Sequence, residues 1–299
     1  MIVALLPTPS LVDAIGSVPG VELVLWPGDG PPPRDDADLV VPDYARGLAA
    51  LAALDALPRL RVVQLQTAGY DGVPELVPEG VVLASARGVH DDATAELALG
   101  LTIASLRGID IAVREAGTWR QDTRRRSLAD SRVAILGYGS IGRAVAERMV
   151  ACRAVVTGVA SASRDDDLVG RVLPAAEVDW ASQHVVVVVL PLSEATRHVV
   201  DADFLARLSD GTLVVNVGRG PLLDTDAVLA EAGRLRFALD VTDPEPLPAG
   251  HPLWAAPGVL VTPHIAGGTT AMLPRIAALV RDQLERLRDD RPLRNIVPR

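Results

Sequence analysis

Three short segments in the second half of the chain carry side chains able to grip an anion and move a proton. Asn216-Val217-Gly218-Arg219-Gly220 offers a guanidinium, Leu239-Asp240-Val241-Thr242-Asp243-Pro244-Glu245-Pro246-Leu247-Pro248 offers the Glu245 carboxylate, and Thr262-Pro263-His264-Ile265-Ala266-Gly267-Gly268 offers the His264 imidazole. A guanidinium binds a carboxylate through two parallel hydrogen bonds. A carboxylate beside an imidazole is suited to general acid–base chemistry near neutral pH. Taken singly, an Arg or Glu is as readily a solvated surface group, and a histidine beside proline a structural one; only the set together points to chemistry. Upstream, Val133-Ala134-Ile135-Leu136-Gly137-Tyr138-Gly139-Ser140-Ile141-Gly142 places a G-x-G-x-x-G pattern after an apolar run and before a helical stretch, Arg143 to Met149. Gly137 would make the turn, Gly139 would let backbone approach a pyrophosphate, and Gly142 would let the helix pack closely with its N-terminus toward the anion. That context points to a dinucleotide; the other reading is a glycine turn in an ordinary α/β unit.

Such groups need a scaffold that delivers loops to one edge. Short β-branched runs, Ile2 to Leu6, Val21 to Leu25, Leu39 to Val41, Val62 to Leu65 and Val81 to Leu83, alternate with Ala/Leu-rich stretches of helical length. This is the rhythm of a parallel α/β sheet. The Pro/Gly-rich patch from Pro27 to Pro33 reads as a surface loop. At Asp91-Asp92 the pattern turns into one long helix, Ala93 to about Ala116, with the aspartates suited to its N-cap. Its first half (Leu97, Ala98, Leu99, Leu101, Ile103, Ala104, Leu106) is apolar nearly all round, which predicts burial between domains or subunits. A second α/β unit begins at Arg132, with strands expected at Ala154 to Val159, Val185 to Leu190, Leu213 to Val217, Leu235 to Leu239 and Val259 to Thr262. The run from Val185 to Leu190 has the unbroken apolar character of a central parallel strand. A closing amphipathic helix, about Ala271 to Arg288, is expected to return to the first unit.

Composition narrows the function classes. A chain of 299 residues predicts two domains. The 29 basic and 38 acidic side chains leave a net charge of −9, which disfavours nucleic acid as a partner. Every basic side chain is Arg; without Lys, Schiff-base chemistry and a P-loop are excluded. A single cysteine, Cys152, cannot form an internal disulfide, and it reads as a buried small residue. The N-terminal residues read as a strand rather than a signal peptide, and no stretch approaches the roughly 20 apolar residues of a membrane span, so a cytoplasmic protein is expected. His90, His184, His198 and His251 lack paired ligand spacing and read as structural, with no metal site expected. The connection Thr118 to Arg126, with Trp119 and three consecutive arginines at its end, reads as solvated, a place near an anionic substrate being the lesser alternative.

The end of the second strand of the glycine-motif unit bears on the choice of coenzyme. An NAD-type site would place Asp or Glu there for the ribose hydroxyls, but the residue is Ala160, followed by Ser161-Ala162-Ser163-Arg164. Hydroxyls and a guanidinium suit a 2′-phosphate, which argues for NADP over NAD. The alternative is that Asp165, Asp166 or Asp167 reaches the ribose.

Together with the glycine loop, the ordered segments resemble the D-isomer-specific 2-hydroxyacid dehydrogenase family along nearly the whole chain. Thr67-Ala68-Gly69-Tyr70-Asp71-Gly72 and Ala86 to Glu96 look like its substrate loop and helix entry, and Pro191-Leu192 with Thr196-Arg197-His198 like its nicotinamide-side loop. The resemblance implies two α/β domains, Rossmann-like and flavodoxin-like, with parallel sheets and an active-site cleft between them: residues 1–91 plus 270–299 for substrate, 92–269 for the dinucleotide. It implies that Arg219 binds the substrate carboxylate, that His264 protonates the carbonyl oxygen as hydride arrives, and that Glu245 fixes the imidazole tautomer and favours its protonated form. Ala68, Gly69 and Tyr70 would hold the carboxylate from the other side, beside Arg219 and His264. The implied coenzyme contacts are Gly137, Tyr138, Gly139, Ser140, Ile141 and Gly142, then Ser161, Ser163 and Arg164, then Pro191, Thr196, Val217, Gly218, Arg219, Asp240, His264, Ala266 and Gly267. Thr242 departs from the aromatic residue many members carry, which predicts a smaller or more polar wall. The NADP-like loop resembles the glyoxylate/hydroxypyruvate reductase branch, so glyoxylate and hydroxypyruvate are the expected substrates and a homodimer through the 92–116 helix the expected assembly. Two rivals stand beside this reading: a short-type 3-phosphoglycerate dehydrogenase, which a cationic pocket from Arg124 to Arg126 would favour, and a dinucleotide-sensing corepressor, which the same fold can support.

Overall fold

The computed structural model describes residues 1–119, 121 and 124–298. In chain order its elements are β1 (Ile2–Leu6), α1 (Pro9–Ile15), β2 (Val21–Leu25), β3 (Leu39–Val40), β4 (Val62–Gln64), β5 (Val82–Ala84), α2 (Asp91–Arg107), α3 (Ile109–Arg114), β6 (Arg132–Leu136) and α4 (Ser140–Ala151). Then follow β7 (Val155–Val159), β8 (Arg164–Asp166), β9 (Gly170–Val172), β10 (Val185–Val188), α5 (Ala202–Ala206), β11 (Leu213–Asn216), α6 (Thr225–Glu231), β12 (Arg236–Leu239), β13 (Val259–Val261) and α7 (Met272–Arg288). The chain divides into two compact units, Met1–His90 with Thr270–Arg299, and Asp91–Thr269.

The first unit is a five-stranded parallel sheet in the order β2-β1-β3-β4-β5, a flavodoxin-like arrangement. The strand β1 lies inside the sheet and is apolar at every position, as burial on both faces requires. Pro9 occupies the first turn of α1, while the Thr8 hydroxyl accepts from the backbone N–H of Leu11 at 3.3 Å, so the helix start is encoded locally. The closing helix α7 does pack here: Ile276, Val280 and Leu284 meet Leu11, Ile15 and Leu6 in one core. Its buried Gln283 donates to Gln64 Oε1 at 2.8 Å, satisfying a polar pair inside the apolar layer.

The second unit is a six-stranded parallel sheet in the order β13-β12-β11-β10-β6-β7. Its central strand β10 is four valines with no exposed surface. One face is covered by a core containing Trp180, Phe204 and Phe237, the other by α2 and α4 through Ala95, Ala98, Val145 and Met149. The single long helix expected from Ala93 to Ala116 is instead two helices. Gly108, at φ 66° and ψ 33°, adopts the left-handed conformation that ends α2 before α3 starts. Asp91 and Asp92 are the first helical residues of α2, where negative charge suits the helix dipole, and Asp92 also meets Arg148 at 2.8 Å. Cys152 is half-buried rather than buried, beside the core under α4. Residues 120, 122 and 123 of the Thr118–Arg126 connection lie outside the described residues. No helix among those described is long and apolar enough to cross a membrane.

Candidate active site

The glycine turn occupies the point where the strand order reverses, between β6 and β10, and such a point is where open α/β sheets bind ligands. Gly137 has φ 108°, and a Cβ there would stand 2.7 Å from the Val189 carbonyl, so both the backbone conformation and the neighbouring strand demand glycine. A Cβ on Gly142 would overlap the carbonyl oxygen of Gly137, which is how the first turn of α4 sits so close to the loop. At Gly139 a Cβ would meet nothing within 4 Å: the loop is open on that side, and α4 starts without a side-chain cap. Uncapped helical N–H groups facing open space are a fitting cradle for a pyrophosphate. Among the motif residues Tyr138 is the exception, because its ring is buried under Gly158 and its hydroxyl donates to Asp166 at 3.0 Å. Burial and the neighbouring carboxylate push this phenol above its usual range.

The segment after β7 is a hairpin, β8 paired antiparallel with β9. Ser161, Ser163 and Arg164 are all exposed at its start, and Arg164 folds back to donate to the Tyr138 carbonyl at 2.5 Å. Asp166 faces inward. It accepts from the backbone N–H groups of Leu168 and Val169 and from Tyr138, and pairs with Arg143 at 2.8 Å. Burial works against its charge, but these donors outweigh it and hold the carboxyl below the usual range. Asp166 is therefore committed to the hairpin, and Asp167 also meets Arg143, at 2.9 Å.

The acid–base corner forms beyond β12 and β13, which are neighbours in the sheet. His264 Nδ1–H donates to Glu245 Oε1 at 2.5 Å across 19 residues of sequence. Both side chains are partly exposed, so the remaining ring nitrogen, Nε2, is open to a reactant. The buried Asp240 builds the corner. Only 1 % exposed, its carboxylate accepts from the Thr262 hydroxyl at 2.6 Å and from the backbone N–H groups of Ile265 and Ala266, each at 3.0 Å. The Asp240 carbonyl also accepts from the His264 N–H at 2.8 Å. His264 itself has φ 51°, a left-handed conformation for a non-glycine residue that these bonds on either side hold in place.

Arg219 comes from the loop after β11, the adjacent strand. The Asn216 amide donates to the Arg219 carbonyl at 2.9 Å, while its oxygen accepts from the N–H of Gly218 at 3.1 Å, folding the loop about one side chain. Gly220 presses on the next loop so closely that a Cβ would overlap the Thr242 carbonyl. Thr242 is buried with its hydroxyl donating to the Pro244 carbonyl at 2.9 Å, and it helps line a cavity of about 200 Å³ with Glu245, Leu247, Trp254, Val261 and His264. Val217 and Ala266 are buried, Gly218 is packed under Leu222, and Gly267 is half-buried. Pro191 is exposed, its carbonyl accepting from the Thr196 hydroxyl at 2.8 Å. Ala68, Gly69 and Tyr70 belong to the first unit, in the loop after β4, where the Thr67 hydroxyl donates to the Gly69 carbonyl at 2.7 Å.

Asp240 is among the expected coenzyme contacts, but its part in tying the His264 loop escaped sequence reasoning, as did Trp254. Asp240 could be singled out as a residue at a strand end, but its partners lie 22 to 26 residues away and nothing local announces them. Trp254 on the cavity wall likewise carries no motif. Arg126 lies away from the catalytic loops, at the amino-terminal edge of the sheet beside Arg132 and His184. No group of three or more potential metal ligands occurs among the described residues.

The family model of the D-isomer specific 2-hydroxyacid dehydrogenase NAD binding domain matches residues 99–266. The chain belongs to the D-isomer specific 2-hydroxyacid dehydrogenase family. A glyoxylate reductase of Korarchaeum cryptofilum is 30 % identical over 88 % of this chain and 85 % of its own length. Among solved structures, an NADPH-dependent glyoxylate/hydroxypyruvate reductase from Sinorhizobium meliloti, in complex with NADP and sulfate, superposes with a TM-score of 0.84 at 26 % identity, over 99 % of this chain and 98 % of that one. A family member from Xanthobacter autotrophicus Py2, in complex with NADPH and MES, gives 0.83 at 26 % identity over 99 % and 98 %.

Proposed function

We propose that this dehydrogenase acts as an NADPH-preferring reductase of small 2-oxo acids, with glyoxylate and hydroxypyruvate as the favoured substrates. The observation that carries the reading is the His264–Glu245 contact at 2.5 Å, one loop away from Arg219. When bound, the nicotinamide supplies the hydride. Arg219 binds the substrate carboxylate through paired N–H groups and draws electron density from the adjacent carbonyl. Glu245 holds Nδ1–H of His264, so that Nε2 is the nitrogen that delivers a proton to the carbonyl oxygen and recovers it in the reverse direction. Asp240 fixes the loop that aims His264. The cradle made by Gly137, Gly139, Ser140, Ile141 and Gly142 takes the pyrophosphate, and Ser161, Ser163 and Arg164 take the 2′-phosphate. The commitment of Asp166 to Tyr138 and Arg143 favours NADP over NAD, as do the NADP and NADPH bound in the Sinorhizobium and Xanthobacter structures.

We further infer a cytoplasmic homodimer without a nucleic-acid partner. Ile109 and Val113 on α3 and the nearby Trp119 are exposed apolar side chains beyond the partly buried Leu97 and Ile103 of α2, and such a patch calls for a partner. Arg126, at the far edge of its sheet, gives no support to a phosphate pocket for 3-phosphohydroxypyruvate among the catalytic loops.

Steady-state oxidation of NADPH and NADH with glyoxylate, hydroxypyruvate, pyruvate, phenylpyruvate and phosphohydroxypyruvate tests the proposal. The expected result is the highest kcat/KM for glyoxylate or hydroxypyruvate with NADPH favoured by about tenfold or more, equivalent to about 1.4 kcal/mol at the transition state. A preference for NADH overturns the coenzyme assignment, and no turnover with either coenzyme overturns the whole reading.

A further inference from the structure

A cavity of about 390 Å³ opens at the amino-terminal edge of the six-stranded sheet, with Arg126, Arg132, Ser182, Gln183, His184 and Asp210 in its lining. Arg132 begins β6 and His184 directly precedes β10, so this cavity lies at the opposite ends of the strands from Gly137 and His264. At about 3.3 Å of rise per residue, a strand length separates the two edges by on the order of 15 Å. None of the lining residues has a part in the reaction proposed above.

The lining is electrostatically and sterically prepared. Neither Arg126 nor Arg132 pairs with a carboxylate among the described residues, whereas Asp210, the acid of the lining, is engaged by Arg234 at 3.3 Å. The backbone N–H of Arg132 donates to His184 Nδ1 at 3.0 Å, which fixes Nε2–H as the nitrogen left to donate. Gln183 is only 6 % exposed; its amide nitrogen donates to the Asp179 carbonyl at 3.0 Å and reaches Ser182 Oγ at 3.2 Å. Its Oε1 is buried and has no hydrogen-bond partner among the described residues. A buried acceptor left without a donor is costly, and a ligand hydroxyl would relieve it.

We propose that this cavity is a second ligand site, taking a small organic anion that carries a phosphate or carboxylate together with a hydroxyl. The anionic group lies between Arg126 and Arg132 and accepts from His184 Nε2–H, and the Gln183 carboxamide, whose Oε1 is closed off from the cavity, turns on binding so that this oxygen accepts from the hydroxyl. The volume suits a metabolite-sized molecule. The charged groups that act on His184 are Arg126 and Arg132, and Asp210 shares the cavity lining. Burial first, then the two guanidiniums, hold its imidazole below the usual pKa. An anion between those guanidiniums offsets their field and raises the proton affinity of His184, which turns the imidazole into a reporter.

The test follows the His184 imidazole by NMR in the full-length protein, titrated with inorganic phosphate and with glycerol 3-phosphate, which adds hydroxyls to the same anion. Saturable shifts at His184, an upward move of its titration midpoint, and binding of glycerol 3-phosphate about tenfold tighter than phosphate are expected. The exposed pair Arg126→Ser/Arg132→Ser should abolish the response while turnover at the catalytic loops is unchanged. No saturable shift, or the same shift in the double variant, overturns the site. Equal affinity for the two probes, with Gln183→Met unchanged in both, overturns the hydroxyl assignment; if Gln183→Met does not fold, the comparison of probes in the unmodified protein decides it. Because the readout is binding at His184, its failure is separate from any failure of the dehydrogenase reading.

Discussion

The two corners that make the candidate active site are built in opposite ways. The β6–α4 corner is backbone chemistry: glycines at 137 and 142 fit where a side chain would not, the loop is open at Gly139, and the helical N–H groups of α4 start without a side-chain cap. The corner beyond β12 and β13 is side-chain chemistry, in which the buried Asp240 ties a loop that aims His264 at Glu245. A backbone site is encoded in consecutive residues, since each glycine serves a local steric need. A side-chain site is encoded in residues scattered along the chain, because only the parallel sheet brings their strands together.

That contrast can be broken by substitution. The largest effect is expected at His264→Asn: kcat should fall by about 10²- to 10⁴-fold, with dinucleotide affinity changing far less in a direct binding titration. A parallel loss of affinity would mean that the two corners do not act separately. Gly142→Ala should do the reverse, weakening dinucleotide binding by about tenfold or more and lowering the melting temperature, because the new methyl overlaps the Gly137 carbonyl. Asp240→Asn replaces one acceptor oxygen with a donor facing the Ile265, Ala266 and Thr262 donors. Chemical denaturation should show a loss of about 1–3 kcal/mol, with kcat falling while dinucleotide affinity holds.

Smaller effects sharpen the backbone corner. Arg164→Ser should lower the NADPH to NADH preference in kcat/KM by roughly tenfold, a change of about 1.4 kcal/mol. The Asp166 carboxyl is held below its usual value of 3.8 in the folded chain, so its stabilising contribution is present above that value and lost as pH falls through the folded one. Melting curves of Asp166→Asn and the unmodified protein should therefore differ at neutral pH and converge in strong acid; a constant gap would place the stabilisation elsewhere.

Much of this was readable in advance where the requirement was local. The apolar run Val185 to Val188 announces a buried central strand, and Pro9 behind Thr8 announces a helix start. The interruption of the predicted long helix at Gly108 was not, because an isolated glycine is tolerated in many helices and only the surrounding packing selects its left-handed conformation. The inward turn of Asp166 was equally hidden among three consecutive aspartates, of which the hairpin chooses one.

By itself the sequence determined the alternating α/β pattern, the glycine cradle and the residue types able to bind a carboxylate and carry a proton, since these depend on short-range sterics and on side-chain chemistry. The tertiary structure alone decided that Asp240 is spent on holding the His264 loop, that Asp166 is committed to Tyr138 and Arg143, and that Arg126 and His184 line one cavity at the far edge of the sheet. Each of those outcomes joins residues more than 20 positions apart, and the pairing is set by strand order and burial, which no local pattern contains.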